Sequence, residues 1–329
     1  MANLRVSYVG TGGNAQGHLR RLSSMEGVEI VACCDVIEER AQASAENYGG
    51  KAFVDWRRML DSVETDACYF SLPPFAHEGA ETEAASRGIH IFVEKPVCTD
   101  METGLATKEA LDKSGALSCV GYQTRYNRFL NAVREFVKDK TIGMAVTERW
   151  GGIAGGPAHW WRVMDKSGGM LHEQATHQLD MLRFCAGDVS EVYALHALRI
   201  NNEQENHDIP DAEVVTLQFA SGAVGYITTT SALIRGGGGS RVELIVEGHL
   251  RVQYSGNSSR ILPESAGPIP EYEEPLPDSI DRAFIEAIRQ GDPSIVKSDY
   301  TDGLKTCAVT IAALESAASG KPVAVHPVE

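Results

Sequence analysis

Two groups of side chains in this sequence have the types and spacing for proton transfer. The first is Glu94-Lys95-Pro96, which ends the apolar run Ile91-Phe92-Val93. A short apolar run bounded by breakers reads as a buried strand. Lys95 is therefore expected at a strand's carboxyl end, where open α/β sheets bind their ligands. Pro96 biases Lys95 towards extended backbone, so its ammonium projects from the strand tip. The plain alternative is a solvated lysine at the start of a loop. The second group is Glu173 and His177, four residues apart and so one turn apart on the face of an expected helix. A carboxylate beside an imidazole can do general acid–base work near neutral pH. Asp180, three residues further on, is expected to orient the His177 ring. A surface ion pair is the alternative; for a metal site, no third ligand stands at a helpful spacing.

A nucleotide cradle precedes both groups. Leu4 to Val9 reads as a strand that runs into Gly10-Thr11-Gly12-Gly13-Asn14-Ala15-Gln16-Gly17-His18 and a helix through about Ser24. This is the G-x-G-x-x-A dinucleotide fingerprint in its required strand–turn–helix context. Gly10 permits the tight turn and Gly12 lets backbone approach a pyrophosphate. Ala15 allows close helix–strand packing, and the helix N-terminus offers N–H donors to phosphate. Gly13 and Asn14 complete the expected cofactor-binding turn. A second strand, Val28 to Cys34, ends in Asp35, twenty residues after Ala15. An acid there accepts from the adenosine ribose hydroxyls and repels a 2′-phosphate, so NAD is expected over NADP. The alternative for Asp35 is a cap for the helix that begins at Glu38.

Strands and helices go on alternating. Ala67 to Leu72 is an expected strand followed by Ser71-Leu72-Pro73-Pro74 and His77, which should border the cofactor; His77 could equally be a helix-start residue without chemistry. Helices are expected over Glu78–Arg87 and from Thr99 or Asp100 to Ser114, and a sixth strand over Leu117–Val120. Such alternation implies a doubly wound parallel sheet, a Rossmann domain over residues 1–121. From residue 122 the pattern changes to long strands with a hairpin signal at Ser221-Gly222. The fold class is thus α/β, a parallel sheet plus a second α/β domain, residues 122–329, with a large and mostly antiparallel open sheet. Residues 201–208 and 236–239 read as mobile loops, and residues 263–277 as a connecting segment. Two helices follow, Ser279–Gln290 and Thr301–Ser319, the first with Ile280, Phe284, Ile285 and Ile288 on one face.

Composition narrows the partners. A net charge of -15 argues against nucleic acid or an anionic membrane surface as the main partner. No apolar stretch is long enough to span a bilayer, and the N-terminus lacks signal-peptide architecture. Seven cysteines without zinc-type spacing read as free thiols in a reducing compartment, so the cytoplasm is the expected location.

Taken together, the fingerprint, Ser71-Leu72-Pro73-Pro74 with His77, Glu94-Lys95-Pro96, Gly121-Tyr122 with Arg125, Gly168-Gly169 through His177 and Asp180, and the C-terminal Gly320-Lys321-Pro322-Val323 resemble the Gfo/Idh/MocA family, the glucose–fructose oxidoreductase and inositol dehydrogenase group. The resemblance implies hydride transfer between NAD(P) and a sugar or polyol carbon. It implies that Lys95 contacts the reacting hydroxyl and the cofactor, and that His177 is the general acid–base. The family's acid four residues before that histidine is usually aspartate, and its small residue between them usually glycine; here they are Glu173 and Ala175. Trp161 and Arg162 match a region that lines the nicotinamide pocket, and Gln123 and Glu94 join the expected cofactor contacts. Tyr122, Arg125, His159 and Trp160, with Lys95, Glu173 and His177, form the expected substrate set. The resemblance also implies dimers or tetramers through the C-terminal sheet. Two alternatives stay open: an NAD-using sugar lyase or glycosidase that works through transient oxidation, and a non-catalytic NAD or sugar sensor.

Overall fold

The computed structural model describes residues 3–153 and 155–329. The chain divides into two compact units, Met1–Gly121 with Pro277–Thr301, and Tyr122–Leu276 with Asp302–Glu329. In the first unit, strands β1 (Leu4–Val9), β2 (Val28–Cys34), β3 (Lys51–Phe53), β4 (Ala67–Phe70), β5 (His90–Val93) and β6 (Ser118–Val120) form one sheet in the order β3-β2-β1-β4-β5-β6. Every pair is parallel. The connecting helices are α1 (Ala15–Ser23), α2 (Glu38–Tyr48), α3 (Trp56–Ser62), α4 (Ala80–Ser86) and α5 (Met101–Ser114). The expected doubly wound sheet is present, and its strand order reverses between β1 and β4, the place where such sheets open a ligand crevice. Strands β4 and β5 read as unbroken apolar runs because both their faces are covered; apart from half-buried His90 every residue in them is buried. Local signals end the helices as expected: Asp100 caps α5 by accepting from Thr103 N–H, and Gly115 closes it at φ 71°.

The second unit holds α6 (Arg128–Val137), β7 (Ile142–Trp150), α7 (Met164–Ser167), α8 (Gly169–Glu173), α9 (Thr176–Ala186), and strands β8 (Val189–Ala197), β9 (Ala212–Phe219), β10 (Val224–Thr230), β11 (Gly239–Val246), β12 (Leu250–Tyr254) and β13 (Ser259–Leu262). After α10 (Ile280–Gln290) and α11 (Tyr300–Ser319) the chain ends with strand β14 (Val323–Ala324). The second sheet runs β13-β12-β11-β7-β10-β9-β8-β14 and is antiparallel except where β10 pairs β7. Its strands alternate in burial, as in β9, because helices cover one face only. Leu130 and Val133 of α6, Leu179 and Leu182 of α9, and Val309 and Ala313 of α11 share a core with Val215, Leu217, Ile227 and Leu244 of the sheet.

One domain boundary needs correction. Residues 122–329 were expected to form a single domain, yet 277–301 return to the first unit. Phe284 of α10 lies edge-on to Tyr69 with ring centroids 5.8 Å apart, and both rings are fully buried. An amphipathic helix joins whichever sheet buries its apolar face, and chain order does not specify which one.

Candidate functional site

In the first unit the fingerprint turn is fixed from two sides. Gly10 adopts φ 84°, and a Cβ there would stand 2.5 Å from Ser71 O, so the turn requires glycine. Asp35 Oδ2 accepts from Thr11 N–H at 2.9 Å and Oδ1 accepts from Ile37 N–H at 2.9 Å. Asp35 therefore ties the end of β2 to the turn, while Ile37, not Asp35, occupies the cap position of α2. Oδ2 also accepts from Thr11 Oγ1 at 3.3 Å, while Oδ1 keeps a second acceptor site. Around Gly12 and Gly13 a Cβ would meet nothing within 4 Å, and Asn14, exposed at the start of α1, makes no side-chain cap. Ala15 is fully buried. Ser71 Oγ is bonded to Tyr8 Oη at 2.7 Å, and Leu72 and Pro73 are half-buried beside it in sequence.

Lys95 lies just past the end of β5 and is half-buried. Glu94, the residue before it, is buried; its Oε1 lies 3.0 Å from His18 Nε2. Gly121 follows β6, and a Cβ at that position would come within 2.7 Å of Glu94 Oε2. His77, expected beside the cofactor, is buried with Nδ1 2.6 Å from Glu81 Oε1.

In the second unit Glu173 and His177 do not share one continuous helix. Glu173 is the last residue of α8 and His177 belongs to the first turn of α9, with Gln174 and Ala175 between the two helices. Asp180 does not serve His177 either. It is fully buried, and its two oxygens accept from Arg125 Nε at 2.9 Å and Nη2 at 2.6 Å. Arg125 Nη1 also lies 2.5 Å from Asp302 Oδ2. The half-buried His177 ring is met edge-on by Tyr122, centroids 5.9 Å apart, and Tyr122 Oη is bonded to Thr176 Oγ1 at 2.8 Å. Gln123 is exposed at the start of a 3-10 turn.

A small recess in the same unit brings together Trp161, Arg162, Met170, Glu173 and Ile209. Trp161 Nε1 is buried with no hydrogen-bond partner among the described residues. His159 packs on Trp161 with centroids 4.5 Å apart and on Trp160 at 5.6 Å. Residues 201–208, expected to be a mobile loop, brace this corner. Arg162 Nη1 donates to Glu205 O, Asp208 N–H donates to Arg162 O, and buried Asn201 donates to Ser231 Oγ. Polar composition marks solvation only when the chain's own carbonyls and amides leave those groups unpaired.

The family models for the "Oxidoreductase family, NAD-binding Rossmann fold" and for the "GFO/IDH/MocA C-terminal domain" match residues 4–122 and 130–249. The chain belongs to the Gfo/Idh/MocA oxidoreductase family. Among its relatives, myo-inositol 2-dehydrogenase of Thermotoga maritima is 27% identical over 71% of this chain and 70% of that protein. Inositol 2-dehydrogenase of Rhizobium meliloti is 26% identical over 98% of this chain and 99% of that one. Two solved structures share the fold. The WlbA dehydrogenase of Bordetella pertussis, in complex with NADH and UDP-GlcNAcA, has a TM-score of 0.83 at 24% identity, over 99% of this chain and 100% of that one. Levoglucosan dehydrogenase in complex with NADH and L-sorbose has a TM-score of 0.83 at 19% identity, covering 100% of both chains.

As a Gfo/Idh/MocA oxidoreductase the chain binds a nicotinamide dinucleotide on its Rossmann unit, and the residues fit that group. The fingerprint turn leaves open space at Gly12 and Gly13, and α1 starts without a side chain competing for its amides. Two residues beside the expected sites carry no role in the sequence reading. Asp281 sits on the buried face of α10 among Phe284 and Ile285 and contacts His18; an acid within an apolar helical stripe is the signal that marks it. Glu213 alternates into the core of β9 and takes the Thr229 hydroxyl. Burial raises the Glu213 carboxyl to about 7.

Proposed function

We propose that this dehydrogenase oxidises a secondary alcohol of a sugar, sugar derivative or cyclitol with NAD, or reduces the corresponding ketone. Lys95 carries the reading: it is the cation at the carboxyl end of β5, in the unit whose glycine turn is open to a dinucleotide. NAD, when bound, supplies the hydride acceptor. The Lys95 ammonium donates to the substrate oxygen and stabilises its alkoxide character, the electrostatic contribution that is usually largest. His177 accepts the hydroxyl proton at an imidazole nitrogen. Its ring is packed by Tyr122 rather than steered by Asp180.

Glu173, Trp161 and Arg162 share a recess, which supports a substrate-side role for Glu173 and an indole donor aimed at a ligand. Arg125 is enclosed by Asp180 and Asp302, which supports a positioning role instead of direct substrate contact. The His77–Glu81 contact supports the same for His77. The Asp35 carboxylate at the end of β2 supports preference for NAD over NADP.

Relatives named inositol dehydrogenases support a cyclitol as the first substrate to try. The open face of the second sheet supports self-association, since Leu195, Val214, Val224, Tyr226 and Ile245 are exposed there. Among the described residues no helix is long and apolar enough to cross a membrane. No disulfide joins the seven cysteines, which fits a reducing compartment such as the cytoplasm. The deciding experiment is a panel of cyclitols, hexoses and UDP-sugars with NAD, followed by reduced-nicotinamide fluorescence. NADH formation from one class is expected; glycoside cleavage without net NADH would refute the dehydrogenase reading.

A further inference from the structure

The first unit contains a buried charge cluster that hydride transfer does not use directly. His18 lies in the second turn of α1, the fingerprint helix, and is almost fully buried. Its Nδ1 stands 2.6 Å from Asp281 Oδ1 and its Nε2 stands 3.0 Å from Glu94 Oε1. With both carboxylates ionised, each oxygen only accepts, so both ring nitrogens donate to them and the ring is an imidazolium; Arg21 Nη2 stands 3.2 Å from Nδ1 as a second cation. Arg21 Nε donates to the other oxygen of Asp281 at 2.5 Å. Two cations thus offset two anions in a space where an unpaired charge is costly.

We propose that His18 is a positioning residue of the dinucleotide site. As an imidazolium between Glu94 and Asp281 it holds the strand end carrying Lys95 to the fingerprint helix, and losing its proton weakens dinucleotide binding. The proposal rests on the dinucleotide reading of this unit. Deprotonation would leave the cluster with one net negative charge behind a helix whose N-terminus receives phosphate, and would take one donor away from a buried carboxylate. The other groups facing His18 do not substitute for it. Tyr69 of β4, 6.2 Å from the ring, and Tyr8 of β1 stacked on Tyr69 are fully buried and pushed well above the usual phenol range by burial, so they stay neutral, and Phe92 of β5 packs on the ring at 5.0 Å. Burial opposes the charged ring, yet its bonds to Asp281 and then Glu94 raise His18 to about 9.

The test is NADH binding to the full chain, followed by nicotinamide fluorescence between about pH 7 and 10, with wild type, His18→Gln and Asp281→Asn. In wild type, Kd should rise about tenfold per pH unit once His18 loses its proton. Asp281→Asn removes one stabilising carboxylate and should move that rise to lower pH by about one unit. His18→Gln should bind weakly with a flat profile, an outcome that loss of packing alone would not produce. Should His18→Gln fail to fold, Asp281→Asn and nitrogen-15 NMR of the wild-type ring carry the test; a ring neutral at pH 7.5 overturns the proposal. Wild type that binds NADH with a flat profile, or a rise unmoved in Asp281→Asn, also overturns it. A folded wild type that binds no NADH at any pH overturns the dinucleotide reading as well.

Discussion

His18 and Asp281 meet at 2.6 Å although 263 positions separate them. The contact fastens a helix from the C-terminal part of the chain to the fingerprint helix at its start. It also makes stability depend on pH. His18 is raised to about 9, burial opposing and the two carboxylates outweighing it. A histidine whose folded value exceeds its unfolded one contributes fully below about pH 6.5, and the contribution is lost as pH rises through about 9. The stability advantage of wild type over His18→Gln should therefore shrink by roughly 3 kcal/mol across that window. Urea unfolding at both ends of the window measures it; a constant difference would mean that the ring is neutral throughout.

Lys95→Ala should lower kcat by about two to three orders of magnitude, the usual cost of removing a charge-stabilising donor. NADH should still bind, because the glycine turn and Asp35 are untouched. His177→Ala should cost about 10²- to 10⁴-fold in kcat, as expected for a general base. Near-normal turnover in either variant rules out the assigned role.

Asp35→Ser should raise the NADP-to-NAD ratio of kcat/KM by about tenfold or more, since one carboxylate facing a 2′-phosphate is removed. Asp35 also ties Thr11 N–H to the end of β2, so NAD binding should weaken at the same time. An unchanged ratio would place the ribose contact elsewhere.

Glu213 should respond to pH in a way opposite to most carboxylates. Burial raises it to about 7, so the native state holds a proton that the unfolded chain releases near pH 4.5. Stability is then lost as pH rises through about 7. Glu213→Gln still accepts from Thr229 and the Leu171 amide, and should gain up to roughly 3 kcal/mol at pH 8 with no gain at pH 4. Thermal melts at the two pH values decide it.

On the second sheet, Met144 is paired in register with Val224 on one side and Ile245 on the other, and all three are exposed. If a second copy covers this stripe, Val224→Lys with Tyr226→Lys should convert the wild-type oligomer to monomer in light scattering. A wild-type monomer would remove the basis for that assignment.

Much of the candidate site was legible because its signals are local. The Gly10 turn, Asp35 twenty residues after Ala15, and the breaker after β5 are each set by a few adjacent residues, and the parallel and antiparallel sheets followed from periodicity. The Glu173–His177 pair misled for the converse reason. Four-residue spacing implies a shared face only along an unbroken helix, and Gln174 and Ala175 interrupt it. Asp180 had the right type and offset for His177, but a buried carboxylate goes to the strongest donor within reach, and that is Arg125.

By itself, then, the sequence determined the dinucleotide turn, the strand end bearing Lys95 and the class of each sheet, because backbone geometry and alternating burial act over a few residues. Only the tertiary structure decided which buried charges meet. His18 with Glu94 and Asp281, Arg125 with Asp180 and Asp302, and residues 201–208 bracing Arg162 all join segments distant in the chain. Those pairings are chosen by the cost of leaving a buried charge unpaired, a cost that exists only once the units have folded.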